Sequence, residues 1–215
     1  MSPWRSRVLY FDGLYAFRQG DADRSLARNS EALKVARATD DLLDECQAIT
    51  GLARLALRAG DYRRVVEITT EAHDRALAAS DEVAAEGPLH LLAAGTRLLH
   101  EYAAARALYL ESLDLNRRLG NTGWVSMEQQ NLGWVELHLG DADAAAALFE
   151  AAEPGNDAYS GAFTDLQQAG LALVRGHRDQ ARLAYDAAVA TIRDLGAKPD
   201  PDDQAEIDWL GSQLT

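Results

Sequence analysis

The sequence predicts an all-α fold in which about five pairs of helices follow one another as an α-solenoid. Apolar residues recur at helical spacing along the whole chain, and nowhere do they alternate with period two. Alanine, leucine, arginine and glutamate, which all favour helices, dominate the composition. A Gly-Asp dipeptide returns at positions 20–21, 60–61 and 140–141, so the same unit recurs about every 40 residues.

Turn residues divide this pattern into individual helices. His100-Glu101 stands where the third Gly-Asp turn should be, and Gly176-His177 supplies a fifth turn. The loops between pairs contain helix caps and stops, at Thr39-Asp40-Asp41, Ala79-Ser80-Asp81, Leu119-Gly120-Asn121 and, earlier than the period demands, Glu153-Pro154-Gly155-Asn156. Helices are therefore predicted near 4–18, 22–38, 42–58, 62–78, 82–98, 102–118, 122–138, 142–152, 157–174, 178–195 and 203–213.

Small residues occupy fixed positions around every turn, where they let two helices approach closely. Seven residues before the turn these are Gly13, Ala53, Ala93, Gly133 and Ala169. Five residues after it they are Ser25, Val65, Ala105, Ala145 and Ala181, and twelve after it Ala32, Ala72, Ser112, Ala152 and Ala188. At the position nine residues after the turn, the side chains are larger in the later repeats; these residues are Asn29, Thr69, Tyr109, Phe149 and Tyr185.

This spacing resembles the tetratricopeptide repeat (TPR), and Leu132-Gly133, Ala145, Phe149 and Ala152 match its signature best. The period of 40 is longer than the standard 34 and is similar to repeats of kinesin light chains and of bacterial ATPase-type transcription activators. The resemblance implies a right-handed α-solenoid that binds proteins or peptides and is not an enzyme. HEAT and armadillo arrays fit the period but not the alternation of small and aromatic residues.

We expect one repeat domain over residues 1–215, with repeats near 4–40, 41–80, 81–120, 121–156 and 157–196. A last helix at 203–213 has an apolar face that includes Trp209 and Leu210, so it should cap the fifth repeat. Gly87-Pro88 interrupts a predicted helix and should kink it or delay its start.

Composition limits the possible partners and cofactors. Lysine and arginine number 21 against 34 acids, a net charge of −13 that disfavours nucleic acid and anionic membranes. Cys46 is the one cysteine, which excludes an internal disulfide and a thiolate zinc site. No apolar run reaches the roughly 18 residues of a membrane span. We expect a cytoplasmic protein without cofactor or metal, a monomer or weak dimer.

One enzymatic alternative rests on acidic motifs. Asp40-Asp41-Leu42-Leu43-Asp44-Glu45 is similar to the aspartate-rich motif of terpene synthases, and Asn156-Asp157-Ala158-Tyr159-Ser160 to half of their second metal motif. A magnesium-dependent enzyme of that kind is a remote alternative. Thr164 stands where that family needs a carboxylate, and acids are favoured at helix N-termini in any case. No catalytic residue is predicted.

The TPR resemblance places the first helix of each pair along a concave groove. Carried over to this chain, 25 groove positions hold five arginines, two histidines and no acid, although about four acids are expected by chance. The partner should therefore be an acidic peptide or protein, or a small anionic ligand, bound around repeats two to four. The candidate residues are Tyr10, Arg18, Arg54, Arg58, His90, Arg97, Gln130, Asn131, Trp134 and His138.

Two other interpretations of the groove stay open. The arginines could pair with acids on neighbouring turns, such as Glu45, Glu86 and Glu128, and bind nothing. The chain could also be the sensor part of a larger transcription activator, since long repeats of this type form such regions.

Overall fold

The computed structural model describes residues 4–153, 155 and 157–215, which form helices and no strands. The helices are α1 (Arg5–Arg18), α2 (Ala22–Thr39), α3 (Leu42–Arg58), α4 (Tyr62–Ala78), α5 (Glu82–Leu98), α6 (Tyr102–Leu119), α7 (Thr122–Leu139), α8 (Ala142–Ala151), α9 (Ala158–Val174), α10 (Arg178–Asp194) and α11 (Pro201–Leu214). The predicted all-α repeat fold is confirmed, with helix bounds within two residues of those expected.

The chain divides into two compact units, Met1–His100 and Glu101–Thr215. In the first unit each helix packs on the next one in sequence, and α3 also packs on both α1 and α5. In the second unit α6, α7 and α8 pack in succession, α9 pairs with α10, and α11 packs on α9 and α10. No helix in the described part of the chain is long and apolar enough to span a membrane.

Aspartate caps and left-handed residues define the helix ends. The carboxylate of Asp141 accepts a hydrogen bond from the Ala144 backbone N–H over 2.9 Å. Equivalent caps are formed by Asp21, Asp41, Asp61, Asp81 and Asp157. The turn residues Gly60 and Gly140 have φ values of 77° and 86°, and His100 adopts φ 62° in their place. The repeated Gly-Asp turn is therefore a helix stop followed directly by an N-cap.

The small-residue positions lie at helix contacts, as predicted. Ala53, Ala93 and Ala169 are fully buried, and Tyr109 is fully buried as well. Gly133 faces Phe149 so closely that a Cβ at this position would lie 2.4 Å from Phe149 Cε1. The alternation of small and aromatic residues thus sets the distance between helices within a pair.

Helix α5 begins at Glu82 and continues through Pro88, so a delayed start at Gly87-Pro88 is wrong. The start is fixed by Asp81, whose carboxylate accepts the Ala84 N–H over 3.0 Å, ahead of the proline. Proline removes one backbone hydrogen bond here, but the helix on both sides is buried in packing contacts.

The last helix packs on the fifth repeat, as predicted. Ile207 and Leu210 of α11 are buried in one core with Leu166 of α9 and Ile192 of α10. The helix begins two residues earlier than expected because Pro201 occupies its first position, where a missing N–H costs nothing.

Helix α8 is shorter than its counterparts. It has 10 residues, whereas α2 and α6 have 18 and α4 and α10 have 17. The backbone leaves the helix at Ala152, which adopts an extended conformation. The loop predicted at 153–156 includes Pro154 and Asn156, which lie outside the described residues.

Candidate functional site

Six of the ten candidate residues belong to the first unit and four to the second. The six lie on α1, α3 and α5, which form one row because α3 packs on both of the others. The four lie on α7.

Arg54 lies half-buried on α3, next to α1. Its Nη1 donates a hydrogen bond to Tyr10 Oη over 3.2 Å. Among the residues that the structure describes, no carboxylate forms an ion pair with Arg54. The phenol of Tyr10, itself 8% exposed, therefore positions this guanidinium without neutralising it.

Arg58 lies one turn further along α3, at the C-terminal end of α1. Its Nη1 donates to the Phe17 carbonyl over 2.8 Å, and its Cζ lies 3.6 Å from the centroid of the Phe17 ring. The carbonyl end of a helix and an aromatic face both favour a cation. Arg18, the next residue of α1, is exposed. We call the surface formed by Tyr10, Phe17, Arg18, Arg54 and Arg58 the arginine face.

The two α5 candidates are less accessible. Arg97 is only 3% exposed, and every residue from 91 to 98 is buried. His90 is half-buried. A ligand at the surface of the first unit therefore meets the arginines of α1 and α3 and not Arg97.

Two buried acids at the start of α3 pair with arginines. Glu45, 3% exposed, accepts hydrogen bonds from Arg37 Nε over 2.8 Å and from Arg75. Burial alone would raise the pKa of Glu45, but the two guanidinium groups together hold that pKa below its ordinary value. Asp44 is likewise bound by Arg7, with Nε 3.2 Å from Oδ1. Glu45 therefore does not neutralise a groove arginine, whereas Arg7, one of the five groove arginines, is paired with Asp44.

In the second unit, three of the four candidates take part in core and cap contacts. Trp134 is 4% exposed and Asn131 is 8% exposed. The His138 ring stacks on Tyr102 at 4.3 Å, and its Nε2 lies 2.7 Å from Glu206 Oε2 of α11. Repeat spacing could place these side chains on one helix face, but it could not show that α11 covers that face.

Gln130, the fourth of these candidates, lines a cavity of about 810 Å³ between α7, α8 and α9. The sequence analysis missed this cavity. The available signal was the early fourth loop, which shortens α8.

The acidic motifs have structural roles. Asp41 caps α3 and Asp157 caps α9, each through a hydrogen bond to a backbone N–H. Asp44 and Glu45 hold arginines, as described above, and Asn156 lies outside the described residues. No group of three His, Cys, Asp or Glu side chains that could bind a metal occurs in residues 4–153, 155 and 157–215.

Cys46 should be unreactive in the folded protein. Burial raises the pKa of its thiol to about 11, and the neighbouring Glu45 carboxylate adds to this effect. The reactive thiolate is therefore scarce at pH 8. We expect iodoacetamide to modify Cys46 at least 100-fold more slowly in native protein than in urea-unfolded protein, as measured by mass spectrometry. Equal rates would show that the thiol is open to solvent.

No protein-family model matches the chain, and no curated protein matches it in sequence. Solved structures do match in fold. A Rap protein complexed with Competence and Sporulation Factor superposes with a TM-score of 0.67 and 15% identity, over 98% of this chain and 58% of that one. TPR-like repeats of a putative kinesin light chain from Podosopora anserina superpose with a TM-score of 0.66 and 13% identity, over 91% of this chain and 99% of that one. BtubC from P. vanneervenii superposes with a TM-score of 0.65 and 19% identity, over 87% of this chain and 79% of that one.

These likenesses confirm the resemblance to TPR proteins at the level of fold. The Rap conjugation gene regulator of plasmid pLS20, in complex with the Phr* peptide, also superposes, with a TM-score of 0.64 and 15% identity over 97% of this chain. The chain spans about three fifths of the length of these Rap proteins, 58% and 60%. At such identities the comparison establishes architecture, and function has to be argued from the residues.

Proposed function

We propose that this chain is a non-enzymatic scaffold that binds an acidic peptide segment at the arginine face of its first unit. The observation that carries the proposal is Arg54, a half-buried guanidinium held by Tyr10 and not neutralised by any described carboxylate. Removing a cation from water is costly unless an anion compensates it. A carboxylate of a partner would supply that compensation, and each charged hydrogen bond contributes about 1.5–3 kcal/mol.

The layout of the arginine face favours a peptide over a small anion. Arg54 and Arg58 are four residues apart on α3, so their side chains share one helix face about 6 Å apart along the axis. Arg18 extends the charge to the end of α1. The half-buried Phe17 ring lies against Arg58 and adds aromatic surface, while the buried Tyr10 holds Arg54 in place. An extended segment with spaced acids and an apolar side chain would satisfy all of these groups together.

The peptide complex among the structural neighbours supports the same class of partner. The pLS20 Rap regulator is in complex with the Phr* peptide and has the same fold as this chain. Because the net charge is −13, an acidic partner is repelled by the protein as a whole, and its attraction depends on the clustered arginines of the arginine face. Binding at the arginine face should weaken as salt screens the attraction.

A peptide display experiment tests the proposal. Random dodecapeptides selected on wild-type protein should be enriched in aspartate and glutamate beside an apolar residue. The double charge reversal Arg54→Glu with Arg58→Glu should abolish that enrichment and reduce affinity for the selected peptides at least 30-fold, measured by fluorescence anisotropy. Arg97 is left unchanged, because a glutamate in its buried position would destabilise the fold itself.

Arg63→Glu is the matched control, since Arg63 is exposed on α4, outside the arginine face. It should leave both the enrichment and the affinity unchanged. Retention of acidic enrichment by the double variant, with unchanged helical circular dichroism, would refute binding at the arginine face.

A second candidate is a regulatory module of a longer protein. It is favoured by the Rap superpositions, which cover 97–98% of this chain but only 58–60% of the Rap chains. The genomic reading frame around this sequence tests it. A frame that continues into a further domain would support this candidate, and a frame limited to these residues would refute it.

A further inference from the structure

The second unit contains a cavity that the proposed function does not use. It has a volume of about 810 Å³ and is lined by residues of α7, α8, α9 and the start of α11, together with Ala152, Glu153 and Gly155. Cavities of about 300–1,000 Å³ hold small organic ligands. Its position follows from the short α8, because a helix of 10 residues is about two turns shorter than the 17 residues of α9 and cannot cover that length of it.

Aromatic side chains form one part of the cavity wall. Phe149, Tyr159 and Phe163 line it, and the rings of Tyr159 and Phe163 are tilted against each other with centroids 4.8 Å apart. Phe149 is held from behind by Trp134 in an edge-to-face contact at 5.7 Å. The wall therefore offers a fixed apolar surface that fits an aromatic or aliphatic group.

A buried amide lies in the same wall. Gln167 of α9 is 8% exposed, lines the cavity, and has no hydrogen-bond partner among the residues that the structure describes. Its polar atoms keep contact with solvent, and a ligand donor in the cavity can replace that water. The carbonyl oxygen of this side chain can accept a hydrogen bond from a donor placed in the cavity.

Carboxylates surround the opening. Glu150, Glu153 and Asp203 line the cavity, and Asp203 accepts a hydrogen bond from the Tyr159 hydroxyl. Arg175, which also lines the cavity, is bound to Asp143, with Nη2 2.9 Å from Oδ1. The charge around the opening is therefore negative, opposite to that of the arginine face.

We propose that this cavity binds a small organic cation carried on an aromatic or aliphatic group. The apolar group would lie against Phe149 and Phe163, and the ammonium would donate to the Gln167 carbonyl and face the carboxylates of Glu150 and Glu153. An anion would be repelled by the carboxylates, and a neutral analogue could donate to Gln167 but would gain no attraction from Glu150 and Glu153, which are exposed.

The test uses three phenylalkyl probes of similar length whose head groups are cationic, neutral and anionic: 4-phenylbutylamine, 4-phenylbutanol and 4-phenylbutyrate. Binding to ¹⁵N-labelled protein is followed by NMR, with the side-chain amide of Gln167 as the local reporter. We expect the amine to shift this signal and to bind at least fivefold more tightly than the alcohol, and we expect no binding of the carboxylate. Equal binding of all three probes, or shifts confined to signals outside the cavity, would overturn the proposal.

Variants separate the contributions of charge and shape. Glu150→Gln with Glu153→Gln should weaken amine binding about fivefold and leave alcohol binding unchanged. Asp179→Asn, an exposed acid on α10 outside the cavity lining, is the matched control and should change neither. An equal loss for amine and alcohol in the double variant would show that the carboxylates do not recognise the cation.

A peptide probe shows whether the cation belongs to a small molecule or to a peptide side chain. The tripeptide amide Ac-LRF-NH₂ presents a guanidinium beside apolar side chains, and it should bind more weakly than the free amine if the cavity takes small molecules. Tighter binding of the peptide would overturn the small-molecule assignment. None of these probes depends on the arginine face, so the Arg54→Glu, Arg58→Glu protein should bind 4-phenylbutylamine as wild type does, and the two proposals can fail separately.

Discussion

Replacing Gly133 with leucine is expected to lower the free energy of unfolding by about 1–3 kcal/mol, as measured by urea denaturation followed by circular dichroism. Gly133 of α7 faces Phe149 of α8, where a Cβ would lie 2.4 Å from the Phe149 ring. A leucine needs space that the ring occupies, so the helices must separate or the ring must leave its contact with Trp134. Either response loses packing at the centre of the second unit.

Gly123 is the matched control for this substitution. It lies on the same helix, and no atom beyond its chain neighbours and its own helix backbone lies within 4 Å of the position that its Cβ would take. Gly123→Leu should therefore leave stability unchanged or raise it by up to about 1 kcal/mol, since leucine favours helix more than glycine does. A Gly133→Leu protein as stable as wild type would contradict the contact between these two positions.

A compensating exchange separates overpacking from a general intolerance of this helix. Gly133→Ala with Phe149→Leu moves volume from one side of the contact to the other. It should recover part of the stability that Gly133→Ala alone loses, because the two residues share one space. Simple additivity of the two single effects would show that the side chains do not compete.

The helix bounds could be predicted because the information is local. A left-handed residue such as Gly140 stops one helix, and Asp141 caps the next through the Ala144 N–H. His100 adopts the same left-handed φ without being glycine, which explains why one turn does not show the Gly-Asp dipeptide. These signals lie within a few residues of the feature that they determine.

The candidate site was less predictable because accessibility depends on distant segments. Spacing assigned His138 to the groove, but Glu206 and Trp209, about 70 residues further along the chain, contact its ring. Spacing also cannot distinguish Arg97, which is 3% exposed, from Arg54, which is half-buried. The repeat position is similar in both cases, and the packing of other helices determines which guanidinium is accessible.

The cavity in the second unit could not be predicted from the sequence either, because it depends on how distant segments pack. The early loop after α8 was visible as a shortened period, but a missing stretch of helix has no side-chain pattern of its own. The sequence does not distinguish Gln167 from other polar residues on the helices. Its burial without a partner among the described residues is a property of the packed helices.

Removing the last helix, by deleting residues 201–215, should have the largest effect on the protein. Leu210 and Leu214 are 0% and 2% exposed, and their loss would uncover the apolar side chains of α9 and α10 beneath them, including Leu166 and Ile192. It would also leave His138 without Glu206. We expect dimerisation or aggregation at micromolar concentration, measured by light scattering, because an exposed apolar face of this kind associates.

A point substitution shows whether this effect comes from the buried contact or from the altered chain length. Leu210→Ala should lower the free energy of unfolding by about 2–5 kcal/mol through the cavity that it leaves in the core of the second unit. Asp208→Ala, two residues away on the exposed side of the same helix, should change it by less than about 0.5 kcal/mol. If both variants and the truncated protein remain monomeric and as stable as wild type, α11 does not hold the fifth repeat, and the core assigned to Ile207 and Leu210 is incorrect. If only Leu210→Ala and the truncation lose stability, the helix is part of the fold and not an appended tail.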